Sequence, residues 1–199
     1  DGADSLVVSG SLSNVFAQGN AGNDTISIKG KVLSSTVRGG AGNDTFTFSN
    51  AGTLSSSLVY GDKGNDTIQT EFLSLHNATI YGDNAGTSAS GKDSINFDDI
   101  TYANKVTIYG GGGNDTMDLG KNDASNVQST FIQGNAGDDN INFSASAINA
   151  TVRGGAGNDT ISVDTGAGYN QNFYGDKGTD SIDVQAASAT TVYGGAGND

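Results

Sequence analysis

One residue type recurs at a spacing that could do chemistry. Asp stands at positions 4, 24, 44, 66, 93, 115, 139, 159, 180 and 199, always as the sixth residue of a glycine-rich heptad. The clearest copies are GGAGNDT at Gly39–Thr45 and Gly154–Thr160. Variants are GNAGNDT at Gly19–Thr25, GDKGNDT at Gly61–Thr67, GGGGNDT at Gly110–Thr116, GNAGDDN at Gly134–Asn140 and GDKGTDS at Gly175–Ser181. One copy is split: Gly82–Asp83 and Gly91–Ser94 carry its halves, with Asn84–Ser90 inserted between. Successive aspartates are 19 to 27 residues apart. That is the period of a solenoid coil, so a stack of coils would bring the ten carboxylates into one column.

Such a column has an electrostatic cost. Neighbouring coils stand about 4.8 Å apart. Two carboxylates at that distance repel by roughly 1 kcal/mol in water, and by about 3–4 kcal/mol at an effective dielectric constant near 20. A cation removes the repulsion. Ca²⁺ fits, because it takes six to eight oxygens in flexible geometry and glycine-rich turns leave carbonyls unshielded. Zn²⁺ would need imidazole or thiolate, and the chain has one histidine, His76, and no cysteine. Mg²⁺ keeps its water and suits an all-protein cage less well. Ten turns give at most nine such sites between coils. The expected metal ligands are therefore Asp4, Asp24, Asp44, Asp66, Asp93, Asp115, Asp139, Asp159, Asp180 and Asp199.

The elements that must position these carboxylates are legible in the pattern. The second motif position is Asn, Asp or Gly, as at Asn20, Gly40, Asp62 and Gly155. These residues most readily accept a left-handed backbone. The fourth position is Gly in every copy, which marks a positive φ or a close backbone approach. The motif is a tight turn. After it, apolar residues alternate at spacing two, as Ile26 and Ile28, Phe46 and Phe48, and Ile161 and Val163. Before it stand Val37, Val59, Ile80, Ile108, Ile132 and Val152, each followed by an outward residue such as Arg38, Tyr60, Tyr81 or Tyr109. Period two marks strands with one buried face. Each coil reads as strand, motif turn, strand and a loose Ser-, Ala- and Asn-rich return. The fold class is all-β: a parallel β-roll or β-solenoid of about nine to ten coils, two sheets, and a calcium-binding turn column along one edge.

Composition excludes several alternatives. The chain has 199 residues, 31 Gly, no Pro and a net charge of −13. Its basic residues are scattered, so no nucleic-acid partner is expected. No apolar run is long enough for membrane insertion, and no N-terminal signal pattern is present. Without cysteine there are no disulfides. Of the 22 acidic residues only Glu71 is Glu, and a short carboxylate is what a tight turn needs. His76 lies in a return segment without a nucleophile elbow, and no enzyme activity is expected. TVRGGAGNDT at Thr36 recurs at Thr151, and YGDKG at Tyr60 recurs at Tyr174. Five coils read as duplicated in block, and residues 1–199 as one continuous solenoid segment of a longer array.

The repeats resemble the RTX (repeats-in-toxin) family, whose pattern is G-G-x-G-x-D-x-U-x with U a large apolar residue. Gly39–Thr47 and Gly154–Ser162 match it throughout. The resemblance implies a parallel β-roll, calcium between turns and a chain that is secreted unfolded and folds in extracellular calcium. It further implies the carbonyls of Gly19, Ala21, Gly39, Ala41, Gly154 and Ala156 as ligands beside the aspartates. In contrast to the family pattern, the motif here lies on one edge and the coils are longer, so the ions would form a single row. Two functions follow as expectations. One is a structural segment of a secreted cell-surface protein (an S-layer, extracellular filament or adhesin stalk) that associates with itself or with other surface components. The other is the C-terminal secretion and folding module of a type I-secreted enzyme or toxin. A glycan-binding face has no specific support in the residues. Tyr60, Tyr81 and Tyr109 on successive coils form an outward ladder, read as cross-strand stacking or a lateral contact surface.

Overall fold

The computed structural model describes residues 2–49, 52–71, 73–84, 91–97, 100–120, 127–164, 168–185 and 188–199. Among them there is no helix, so none is long and apolar enough to cross a membrane. The six residues 85–90 of the insertion lie outside the described set.

The strands stack into three all-parallel sheets. One nine-stranded sheet is built from the strands after the motif, such as Thr25–Lys29, Thr45–Ser49 and Thr160–Asp164. A second nine-stranded sheet holds the strands that run into the motif, such as Phe16–Ala21, Thr36–Ala41 and Thr151–Ala156. The third has seven short strands, including Leu12–Ser13, Val32–Leu33 and Thr53–Ser55. Each strand pairs with its counterpart one coil away, so Ile26 lies against Phe46, Phe46 against Ile68, and Ile68 against Ile95. The parallel solenoid expected from the repeat is present.

The third sheet corrects the expectation of two sheets and a loose return. Val32, Leu54, Leu75, Ala103, Val127 and Ala147 of the return are all buried. They close the third side of a core whose other sides are Ile26, Phe46 and Ile141 and Val37, Ile80 and Val152. The return then bends through a recurring left-handed residue two positions before each motif strand. Asn14, Ser34, Ser56, Asn77, Lys105, Ser129, Asn149, Asn170 and Ala189 all have φ between 47° and 61°. Asn fills four of these corners because its short polar side chain tolerates the left-handed region. Just inside the corner, Ser35 and Ser57 are buried. The Ser35 hydroxyl donates to the Leu33 carbonyl at 2.7 Å and accepts the Val15 N–H at 3.1 Å.

The outward face of the motif sheet carries the aromatic row. Tyr60 and Tyr81 stack at 4.8 Å with 3° between planes, Tyr81 and Tyr109 at 5.1 Å, and Tyr174 and Tyr193 at 5.3 Å. Arg38 lies 4.5 Å over the Tyr60 ring, and Arg153 lies 4.7 Å over Tyr174. The expected cross-strand stacking is therefore present. The stacked ring faces cover one another and turn their edges to solvent.

Because each coil contacts its neighbours and little else, a core truncation should act locally but at full cost. Phe46 is wholly buried. Phe46→Ala should destabilise the calcium-loaded protein by about 3–5 kcal/mol. Lys29→Ala, at the exposed end of the adjacent strand, should stay within about 0.5 kcal/mol. Thermal unfolding in saturating calcium measures both.

Candidate metal centre

The turn conformation follows from the motif residues. At the second position Asn20, Asp62, Asn135 and Asp176 have φ of 85°, 83°, 82° and 78°, and Gly40, Gly111, Gly155 and Gly195 are also positive. At the fourth position Gly22, Gly42, Gly64, Gly113, Gly137 and Gly157 lie between 117° and 141°. Two left-handed residues within four turn the chain sharply enough to bring the sixth residue back over the first.

The aspartates then form one unbroken ladder. The backbone N–H of Asp4 donates to Asp24 Oδ1 at 2.7 Å, Asp24 to Asp44 at 2.7 Å, Asp44 to Asp66 at 2.7 Å and Asp66 to Asp93 at 2.7 Å. It continues through Asp115, Asp139, Asp159 and Asp180 and ends on Asp199 Oδ1 at 3.1 Å. The insertion does not interrupt it. Asp66 and Asp93 are 27 residues apart in sequence, yet keep the same bond and the same strand register.

Each carboxylate has a second oxygen with a different fate. Oδ2 of Asp24, Asp44, Asp66, Asp93, Asp115, Asp139, Asp159 and Asp180 is buried and has no hydrogen-bond donor. It points at the first glycine of its own motif. A methyl group on Gly39 would overlap Asp44 Oδ2 and stand 2.6 Å from the Gly61 carbonyl oxygen. At Gly19 the same spot is flanked by Asp24 Oδ2 and the Gly39 carbonyl, and at Gly134 by Asp139 Oδ2 and the Gly154 carbonyl. Carboxylate and first-position carbonyl thus come together one coil apart. The third-position carbonyls have other work. Those of Ala21, Ala41 and Ala156 accept the N–H groups of Gly2, Gly22 and Gly137, each at 2.8 Å, which leaves one lone pair apiece.

A second ladder, absent from the sequence reading, runs beside the first. At the fifth motif position Asn23 Oδ1 accepts the Asn43 N–H at 2.9 Å, Asn43 that of Asn65, and Asn65 that of Lys92. Asn114, Asp138 and Asn158 serve Asp138, Asn158 and Thr179 in the same way. The fifth position is exposed and its acceptor is mostly an amide. The sixth is buried from Asp24 to Asp180 and its acceptor is always a carboxylate. An amide oxygen makes the same hydrogen bond without burying charge, so hydrogen bonding alone does not account for ten aspartates.

The electrostatics carry the same message. Burial, and then the neighbouring carboxylates, push Asp66 and Asp93 up to about 8 against the opposing pull of a backbone N–H. Asp115 and Asp139 rise to about 7, and Asp44 and Asp159 to about 6. The shift is largest in the middle of the stack, where water is furthest away.

The donor set fits a calcium ion: buried carboxylate oxygens without donors, adjacent carbonyls, and glycines whose missing side chains leave room. No three acidic or imidazole side chains converge on one point among the described residues, so carbonyls would have to complete any coordination sphere. His76 is exposed and stacks between Ser55 and Asn104 in the third sheet.

The family model of the RTX calcium-binding nonapeptide repeat matches residues 1–27, 34–49, 52–71, 105–123, 131–146, 144–167 and 189–199, more than half of the chain. The chain belongs to this RTX family. Its repeats bind calcium. No curated protein and no solved structure matches the chain. Residues 72–104 and 168–188 fall outside the match. Those stretches include Asp93 and Asp180, where the fifth position is Lys92 or Thr179 instead of Asn or Asp, yet the aspartate ladder passes through both.

Two expectations follow. Gly39→Ala should disrupt the turn, since its methyl group takes the space between Asp44 Oδ2 and the Gly61 carbonyl, and should lower calcium binding measured by titration calorimetry. The pH dependence has a definite sign. Carboxylates whose folded-state pKa lies above the unfolded value of 3.8 make the metal-free fold bind extra protons. That contribution is complete below pH 3.8 and is lost as pH rises through about 6 to 8. Metal-free protein should therefore lose β signal in circular dichroism between pH 4 and pH 8, and calcium should restore it at the alkaline end.

Proposed function

We propose that the chain is a calcium-stiffened structural segment of a secreted cell-surface protein, such as an S-layer, an extracellular filament or an adhesin stalk. The observation that carries this reading is the unbroken aspartate ladder, which links all ten turns through the insertion. A ladder that keeps register past a seven-residue insertion behaves as a single axial element. Its function would be mechanical continuity.

Ca²⁺, when bound, supplies the positive charge that the buried carboxylates lack. The residues that would hold it are the ten ladder aspartates from Asp4 to Asp199, the carbonyls of Gly19, Gly39 and Gly154, and the remaining lone pairs of Ala21, Ala41 and Ala156. Without the ion, the column opposes stacking through desolvation and mutual repulsion. Calcium at extracellular concentration, acting on sites near 10⁻⁴–10⁻³ M, would then turn the chain from extended to stacked only after export. The stacked outward face, with its tyrosine row and Arg38 and Arg153, is the surface available for self-association or for other surface components.

Small-angle scattering and circular dichroism during a calcium titration test this reading. The radius of gyration should fall from about 48 Å toward about 16 Å as β signal rises. Magnesium at equal concentration should not reproduce the change. A compact β fold in excess EGTA at pH 7.5 would overturn the role given to calcium.

A further inference from the structure

We propose that the outward face of the motif sheet carries two copies of a binding patch for a neutral, hydroxyl-rich polysaccharide. The inference names a partner for the surface role proposed above and is independent of the metal ligands.

A groove of about 340 Å³ opens on that face across three successive strands, Phe16–Ala21, Thr36–Ala41 and Leu58–Lys63. Strand pairing sets Gln18 beside Arg38, and Asn20 beside Gly40 and then Asp62. Beyond Arg38 the middle strand contributes only Gly40 and Ala41, so little stands between the flanking side chains. Phe16 lines the groove with a side chain that is 64% exposed. Arg38 is held by Asp62, and their charges cancel. The side chains of Gln18 and Lys63 make no hydrogen bond or ion pair among the described residues.

The same residues stand five coils further on. Phe131, Gln133, Asn135, Arg153, Asp176 and Lys177 repeat them with the same strand pairing, and Arg153 again holds Asp176. Duplication alone does not account for this. On the outward face of the other nine-stranded sheet, Thr25, Ser27 and Gln69 correspond to Asn140, Asn142 and Asp183. Leu58, on the motif sheet but outside the groove, corresponds to Asn172. The clamp of Arg38, Tyr60 and Asp62 explains why those three recur, but Phe16, Gln18 and Lys63 take no part in it. What these three share is the groove.

The lining selects the class of ligand. A primary amide both donates and accepts, which matches neighbouring sugar hydroxyls, and an ammonium adds further donors. An exposed aromatic face packs against the apolar C–H face of a sugar ring. One unpaired ammonium per patch is too little to hold a polyanion against a chain of net charge −13. The residues of each patch come from three coils, so their grouping emerges only in the fold. Five coil spacings put the two patches roughly 24 Å apart on one sheet. A long polymer can engage both at once, and linked sites gain affinity through effective concentration.

Biolayer interferometry in saturating calcium tests this, with immobilised mannan, dextran and β-glucan as neutral probes and polygalacturonate as the acidic comparison. At least one neutral polymer should retain the wild type. Gln18→Ala and Gln133→Ala should each weaken that retention by roughly tenfold or more, and together should abolish it. Gln69→Ala, on the other sheet, should bind as the wild type does. Retention on polygalacturonate alone, on no polymer, or unchanged by the paired substitution would overturn the proposal. Circular dichroism of the same samples reports on the calcium reading separately: a wild type that shows the calcium-induced β signal but binds no neutral polymer overturns this proposal alone.

Discussion

The structure depends on a buried column of carboxylates that, once ionised, opposes its own burial unless a cation joins it. From Asp4 to Asp180 each sixth-position N–H leaves a tight turn and donates to the Asp carboxylate of the next coil. Burying that acceptor strips its other oxygen of water. The geometry of the turn and the need for metal are one problem, because the bond that closes the turn also places the charge. The contrast with the fifth position makes this plain. There, one residue away and in solvent, Asn does the same job. Asn at the sixth position would close the turn without the penalty of desolvated charge. Only a requirement for charge explains its absence.

Much of this was legible in the sequence. The column of aspartates, the left-handed second and fourth positions and the alternating strands all follow from residue types that have few other uses. Positive φ leaves a residue signature, since Gly, Asn and Asp are the types that tolerate it. The third sheet left a weaker one. Its strands are two to five residues long, too short for alternation to register, and their buried members include Ala103 and Ala147, which also suit a loop. The corner residues were hidden for a related reason. Four are Asn, but Ser34, Ser56, Lys105 and Ala189 adopt the same conformation under the constraint of the stack, against their own preference. The fifth-position ladder was within reach: Asn or Asp stands there in most copies, but the aspartate beside it offered a sufficient reason for the motif.

The insertion shows how the constraint is distributed. A coil that gains residues between its second and fourth motif positions loses one rung, between Asp83 and Gly111, and replaces it with a side chain. The sixth position does not move. Register in a parallel stack is set by many equivalent pairs, here the alternating core of Ile68, Ile95 and Met117 together with the Asp66–Asp93–Asp115 bonds. One absent rung costs about one hydrogen bond, whereas a slip by one residue would turn every apolar side chain of the strand outward. The loss is therefore local.

The two duplicated blocks differ in what they preserve, and the difference follows from the same one-dimensional logic. Inward positions have been exchanged freely: Ala17 corresponds to Ile132 and Val59 to Phe173. Each such residue packs mainly within its own coil and the next, so volume can be rebalanced coil by coil. On the outward face Gln18, Arg38, Tyr60 and Asp62 recur unchanged as Gln133, Arg153, Tyr174 and Asp176. Arg38 makes two contacts at once, over the Tyr60 ring and with the Asp62 carboxylate, both on the following coil. Changing any member breaks two interactions and leaves a buried carboxylate without its counter-charge. A clamp that spans two coils is kept or lost as a unit, and among the described residues the split motif marks a coil where the outward face carries an acid, Asp83, that no such clamp holds.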